Sequence, residues 1–256
     1  MEKCRPLAII LAAGKGTRMG SDLPKVLHQA AGKPLLLWVI EALEAAGVTD
    51  QIVVVGHAAD RVKQAIGQRP GIGFALQQHQ RGTGDAVAAA ADLIRASCGD
   101  KAASRRPVVI VCGDSPLLRP ESVRGLLEAF AAADAACLLG TAVAANPAGL
   151  GRIVRNADGE FLRIVEEKDA TTAERAIREV NMSTYVFAAE DLLESLGQLG
   201  TDNAAGEYYL TDCPGLLLAA GRPVAAVACL DSSETLSVNT PEQLAAVAAV
   251  LETRQA

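Results

Sequence analysis

The sequence predicts an α/β protein: a mostly parallel sheet flanked by helices, with a small antiparallel β insertion that forms a second lobe. Three observations support this. Short apolar, β-branched runs alternate with helix-length amphipathic stretches. A glycine-rich, cationic turn follows the first of those runs, where open α/β sheets bind ligands. After Gly149 the alternation gives way to a hairpin pattern.

Taken in order, Leu7–Leu11, Gln51–Val55, Phe74–Leu76, Val108–Cys112 and Ala136–Val143 read as strands, near-continuous apolar runs of the kind buried on both faces of a parallel sheet. Pro34 and Pro120 suit the first position of two helices, and Gly47 can close the helix that opens at Pro34. Thr83 suits the N-cap of an Ala-rich helix. Beyond Gly149, Arg152–Arg155, the turn Asn156–Gly159 and Glu160–Val165 form a hairpin pattern, followed by a helix near Thr172–Arg178 and a strand near Val180–Phe187. Thr240-Pro241-Glu242-Gln243 reads as a capping box opening a last helix to about Leu251. No linker, charge block or repeat divides the chain. One domain over residues 1–256 is expected, with lobes over 1–115 and 116–230 and a C-terminal helix over 240–252.

Composition narrows the partners. The 256 residues are 50% hydrophobic and carry a net charge of −6, so nucleic acid and anionic membranes are disfavoured and any bound phosphate must meet locally concentrated cations. Cysteines at positions 4, 98, 112, 137, 213 and 229 show no CxxC pair and no metal-ligand spacing. They read as reduced residues of a cytoplasmic protein. Lys3 and Arg5 precede an apolar run too short for a secretory signal, and no stretch reaches the ~20 apolar residues of a membrane span.

The strongest chemical signal is Leu11-Ala12-Ala13-Gly14-Lys15-Gly16-Thr17-Arg18-Met19, with Pro24-Lys25 following. Gly14 and Gly16 let backbone amides approach a phosphate, while Lys15, Arg18 and Lys25 supply charge. The third glycine of a dinucleotide fingerprint would fall on Met19, and the P-loop spacing is absent, so this is a phosphate loop of another kind. Three further segments stand out. Gln77-Gln78-His79-Gln80-Arg81-Gly82-Thr83-Gly84 offers amides suited to a pyrimidine edge, although a polar turn has the same composition. Asp114 follows the strand Val108–Cys112, as a metal ligand or a turn residue does. Asn239 precedes the last helix, where cap chemistry is the ordinary explanation.

LAAGKGTRM, four residues and PKVL, then Gly32-Lys33-Pro34-Leu35, resembles the signature of the sugar-phosphate nucleotidyltransferase family, and within it the N-acetylglucosamine-1-phosphate uridylyltransferase domains. Thymidylyltransferases have a shorter spacing, and the cytidylyltransferase of isoprenoid synthesis has Gln where this chain has Val26. The resemblance implies a Rossmann-like, nucleotide-diphospho-sugar transferase fold, with 1–115 as nucleotide lobe and 116–230 as sugar lobe. It implies UTP and a sugar 1-phosphate as substrates, pyrophosphate as product and Mg²⁺ as cofactor. By this likeness Arg18 and Lys25 are catalytic. Leu11, Ala12, Ala13, Gly14, Gln77, Gly82 and Thr83 bind the nucleotide. Gly151, Glu166, Asn181, Tyr209 and Thr211 line the sugar pocket, and Asp114 and Asn239 hold the metal.

Two positions depart from the pattern: Ser183 stands where a glycine usually follows the asparagine by two residues, and Leu150 where an aromatic is common. No hexapeptide repeats follow, so acetyl transfer is not expected. The competing readings are transfer from another nucleotide or to another sugar phosphate, and a non-catalytic sugar-nucleotide sensor.

Overall fold

The computed structural model describes residues 5–99 and 105–255; Lys3 and Cys4 lie outside them. In chain order the elements begin with β1 (Leu7–Ala12), the short pair β2 (Gln29–Ala30) and β3 (Lys33–Pro34), α1 (Leu35–Ala45), β4 (Asp50–Val55), α2 (Ala59–Ile66) and β5 (Ile72–Leu76). Next come α3 (Thr83–Ala88), α4 (Ala91–Cys98), β6 (Pro107–Cys112), α5 (Pro120–Ala133) and β7 (Cys137–Val143). The hairpin β8 (Arg152–Arg155) and β9 (Phe161–Val165) leads to α6 (Thr172–Arg175), β10 (Glu179–Ala188), α7 (Ala189–Leu196), α8 (Cys213–Ala219), β11 (Val224–Val227) and α9 (Pro241–Gln255).

The main sheet runs β11-β7-β10-β6-β1-β4-β5. Only β10 on that path is antiparallel to its neighbours, and β8 and β9 extend from its end. The alternation of side chains along a strand divides the core between the two faces. Leu7 and Ile9 join one apolar cluster, while Ala8, Ile10 and Ala12 join the other. A third cluster gathers Met19, Leu35, Leu117, Val238, Val247 and Leu251 and seats α9 beside the glycine-rich loop.

Several boundaries differ from the sequence reading for identifiable reasons. Pro34 pairs with Gln29 in a two-residue ladder, so α1 opens one residue later. Gly47 does end α1, with φ of 86° and its N–H bonded to the Glu44 carbonyl. Gly82, not Thr83, caps α3, because the Thr83 hydroxyl accepts from Leu210 N–H at 3.0 Å instead. Glu160 stays in the turn, accepting from Asn156 N–H at 2.9 Å. The helix expected to reach Arg178 stops at Arg175, since the Arg178 carbonyl is taken by Ala144 N–H beside β7. At α9 only half a capping box forms: Thr240 accepts from Gln243 N–H, but the Gln243 side chain accepts from Asn239 N–H rather than from Thr240. That helix also runs past Leu251 to Gln255. Among the described residues no helix is long and apolar enough to cross a membrane.

Ala58 caps α2 with φ of 53° and no side-chain bond to the helix amides. Alanine is a poor N-cap and pays steric strain in the left-handed region, whereas glycine adds only unfolded-state entropy there. Ala58→Gly is therefore expected to stabilise the fold by about 1 kcal/mol. A higher urea midpoint at unchanged slope checks it.

Candidate active site

Strand order reverses between β1 and β6, because the chain steps from β1 to β4 and β5 on one side and then returns to β6 on the other. The crevice beyond the carboxyl ends of these strands is where an open α/β sheet binds ligands. The glycine-rich loop leaves β1 there, and Asp114 leaves β6 there, with Gly113 N–H still bonded to the Leu11 carbonyl at 2.9 Å. Gly16 has φ of 65°, and a Cβ on it would sit 2.5 Å from Lys25 Cβ, so its glycine is what lets Lys25 fold back under the loop. A Cβ on Gly14 would meet nothing. Gly56, at the end of β4, backs the loop so closely that a Cβ would lie 2.9 Å from Ala13 and from Gln80 Nε2.

Four of the residues singled out in the sequence meet at one charge centre. Lys25 forms an ion pair with Asp114 and donates to Asn239 Oδ1 at 3.0 Å, and Arg18 donates to the same oxygen at 2.8 Å. Lys15 stays exposed on the loop. Asn239 arrives from 214 residues beyond Lys25 because the chain is tied down on both sides of it. Val238 is buried in the third cluster and donates to the Asp114 carbonyl at 3.2 Å, and Gln243 accepts from Asn239 N–H at 2.8 Å. Upstream, the Glu234 carboxylate accepts from Arg119 N–H, Ser122 Oγ and Asp231 N–H, fastening the segment to the start of α5. Glu234 and Gly56 were not singled out in the sequence, each signal being a single common residue, and Gln243 was singled out only as part of a helix cap.

A carboxylate and an amide carbonyl converging on one ammonium form a hard-oxygen pair already arranged around a cation. Magnesium takes few protein ligands and keeps waters and phosphate oxygens, so Asp114 and Asn239 fit it. Among the described residues no cluster of three His, Cys, Asp or Glu offers an alternative site.

On the β5 side, Gln77 is buried and its Nε2 donates to the Gly82 carbonyl at 3.1 Å and to Asp85 at 2.8 Å. Its loop is clamped to the segment before α8: Tyr208 N–H donates to Arg81 carbonyl, Gly84 N–H to Tyr208 carbonyl, and Leu210 N–H to Thr83 Oγ1. A Cβ on Gly82 would come within 2.4 Å of the Tyr208 carbonyl, which is why glycine is needed there.

The sugar-side residues also come together. A Cβ on Gly151 would approach Asn181 at 3.4 Å and Glu166 at 3.6 Å, and Thr211 Oγ1 donates to Glu166 at 3.0 Å. Glu166, Tyr209 and Thr211 line a cleft of about 470 Å³. Asn181 Nδ2 donates to the Tyr185 hydroxyl at 2.7 Å, and its Oδ1 accepts from Ser183 N–H at 3.2 Å across a bulge in β10. Ser183 has φ of 50°, the region where a glycine carries no penalty. Burial, with Asp114 adding to it, pushes the Cys112 thiol up to about 12, so that sulfur is no nucleophile.

The sheet order and the loops at its carboxyl edge define the nucleotide-sugar transferase fold. Two solved structures of UDP-glucose pyrophosphorylase, one without ligand and one with UDP-glucose, match it with TM-scores of 0.75 and 0.77 at 15% identity, over 98% and 97% of this chain and 99% of each of theirs. At that identity the likeness is one of fold. The chain belongs to the MobA-like NTP transferase domain family, whose model matches residues 8–210. It is also 46% identical, over 93% of its length, to 48% of the bifunctional protein GlmU of Geobacter metallireducens. It is 44% identical, over 96%, to 52% of the same protein from Trichlorobacter lovleyi. The chain thus spans about half the length of these curated relatives.

Two outcomes follow from this geometry. Burial first, then Asp169 and Asp212, raises Glu166 above the ordinary carboxylate value of 4.5. The folded state thus holds that proton more tightly, and ionising Glu166 at neutral pH costs stability. Glu166→Gln is expected to be more stable than wild type at pH 7, the gain vanishing as pH falls below 4.5, where the carboxyl is protonated in both states; denaturant melts across pH test this. Separately, Lys25→Met removes the ammonium that competes for Asp114 and Asn239. Without nucleotide it is expected to bind Mn²⁺ about tenfold more tightly, equivalent to roughly 1.4 kcal/mol. Electron paramagnetic resonance of free Mn²⁺ reads this directly, and equal affinities would remove the ammonium from the metal site.

Proposed function

We propose that this chain transfers a uridylyl group from UTP to N-acetylglucosamine 1-phosphate, or a closely related sugar 1-phosphate, releasing pyrophosphate. The observation that carries the reading is the convergence of Arg18, Lys25, Asp114 and Asn239 beyond the ends of β1 and β6. The half-length match to the bifunctional GlmU proteins favours the same chemistry. In this reading residues 1–115 and 116–230 act as nucleotide and sugar lobes of one domain. The five described cysteines, all free, suit a cytoplasmic protein.

A phosphate oxygen of the sugar 1-phosphate attacks the α-phosphorus of UTP. A new P–O bond forms as the bond to the β-phosphate oxygen breaks and pyrophosphate departs with the electron pair. The nucleophile is already anionic, so no side chain need remove a proton. Catalysis is then positioning and charge neutralisation. Arg18 and Lys25 exchange the Asn239 and Asp114 oxygens for phosphate oxygens, and the amides of Leu11–Gly14 cradle the chain of phosphates. Asp114 and Asn239 would hold Mg²⁺, which supplies Lewis-acid charge neutralisation when bound. Gln77, Gly82 and Thr83 hold the base, and Gly151, Glu166, Asn181, Tyr209 and Thr211 the sugar.

Pyrophosphate release across UTP, CTP, dTTP and ATP, each with N-acetylglucosamine 1-phosphate and glucose 1-phosphate, tests the reading. The expected maximum is UTP with the acetamido sugar, and no release from any pair would leave a binding protein. Removing one preorganised charge-stabilising group typically costs ~10²–10³ in kcat. Arg18→Ala is expected to lose that much in kcat, while a change confined to KM would make Arg18 a uniform binder.

A further inference from the structure

We propose that Asp85 is a positioning residue that fixes which end of the Gln77 side-chain amide faces the base, and so selects a pyrimidine that donates at ring nitrogen 3. The inference rests on the uridylyl-transfer reading, in which Gln77 lies beside the base.

Gln77 is 4% exposed, and both hydrogens of its Nε2 are committed inside the protein. One goes to the Gly82 carbonyl at 3.1 Å, the other to Asp85 Oδ2 at 2.8 Å. A backbone carbonyl and a carboxylate can only accept. Turning the amide over would therefore set its oxygen against two oxygens, in a buried place where unpaired polar groups cost most. Among the described residues, no group donates to Gln77 Oε1, which is left as the ligand-facing half of the amide.

Asp85 is itself held in place. Its other oxygen accepts from Arg81 Nε at 3.1 Å and from the Arg81 terminal nitrogen at 2.6 Å. The Arg81 guanidinium lies 5.5 Å from the centre of the Tyr208 ring, and Tyr208 N–H donates back to the Arg81 carbonyl at 2.8 Å. Arg81 and Gln77 thus both donate to the Asp85 carboxylate, which can only accept, and turning the Gln77 amide over places oxygen against oxygen.

The consequence is a preference between bases of equal size. Uracil carries N–H at position 3, and cytosine carries a lone pair there. An acceptor fixed beside that position pairs with the first and repels the second. Sites that read a group by hydrogen bond discriminate far more strongly than sites that only limit volume.

The test compares kcat/KM for UTP and CTP, with one sugar 1-phosphate, in wild type, Asp85→Asn and Asp85→Ser. In Asp85→Asn, Arg81 still requires an acceptor, so the new amide turns its NH₂ to Gln77 and favours the flipped Gln77. The UTP-to-CTP ratio is expected to fall at least about tenfold. In Asp85→Ser the hydroxyl can donate or accept, and the ratio falls less. Equilibrium Kd values for the two nucleotides, measured without sugar phosphate, should show the same shift if a variant turns over too slowly. Equal losses for both nucleotides, ratio and Kd quotient unmoved, would reduce Asp85 to a structural support and overturn the proposal. The wild-type row tests the underlying reading separately: CTP used as well as UTP would overturn that reading and the proposal with it.

Discussion

The structure depends first on the seating of β1. It is flanked by β4 and β6 in parallel, buried on both faces, and placed where the strand order reverses. Any loop leaving its carboxyl end must enter the crevice between neighbouring loops, and here that loop carries Lys15, Arg18 and Lys25. Crowded cations need counter-charge before any phosphate arrives. Asp114 supplies the charge and Asn239 a neutral amide oxygen, and both are brought there by contacts with β1 or its loop: Gly113 through the Leu11 carbonyl, Val238 through the cluster around Met19.

The same economy extends around the rest of the site. Several of the polar groups proposed to meet a ligand are engaged by one another or by neighbouring groups: Arg18 and Lys25 by Asn239, Thr211 by Glu166, Asn181 by Tyr185 and Ser183. These bonds keep the side chains in place at no cost in unpaired groups. A ligand must match what it displaces, which favours species rich in acceptors over apolar molecules of the same size. Gln77 differs, since its donors are used internally and only an acceptor is left. The backbone is strained in the same neighbourhood, with Ser183 in the left-handed region inside the β10 bulge. A bulge re-aims side chains beside a site, and here Asn181 stands at its start, its N–H bonded to the Gly151 carbonyl and its side chain to Tyr185 and Ser183.

Much of this was legible in the chain because it depends on local chemistry. Alternating apolar runs marked the strands, since burial on both faces leaves no room for polar residues. Gly47 and Pro120 marked a helix end and a helix start, because their backbone preferences act within one turn. Gly16, Asp114 and Asn239 stood out by their place beside strands and turns and Asn181 only by the family likeness, and the fold brings each to the carboxyl edge of the sheet or its extension. What the sequence misread was set by partners outside the pattern that was read. Thr83 has a cap's chemistry, yet Leu210 takes its hydroxyl; Pro34 has a helix start's chemistry, yet Gln29 holds it in a ladder.

By itself, then, the sequence determined the fold class, the glycine-rich cationic loop and the residue types that the proposed site draws on, because these follow from periodicity, backbone freedom and side-chain functional groups. Only the tertiary structure decided how those groups are spent. Asp114 and Asn239 share the Lys25 ammonium, Gly56 presses on Ala13, Glu234 anchors the segment that delivers Asn239, and Asp85 accepts from the Gln77 amide. The physical reason is that hydrogen-bond direction and charge pairing between residues far apart in the chain depend on distances of a few ångströms, which no local pattern encodes.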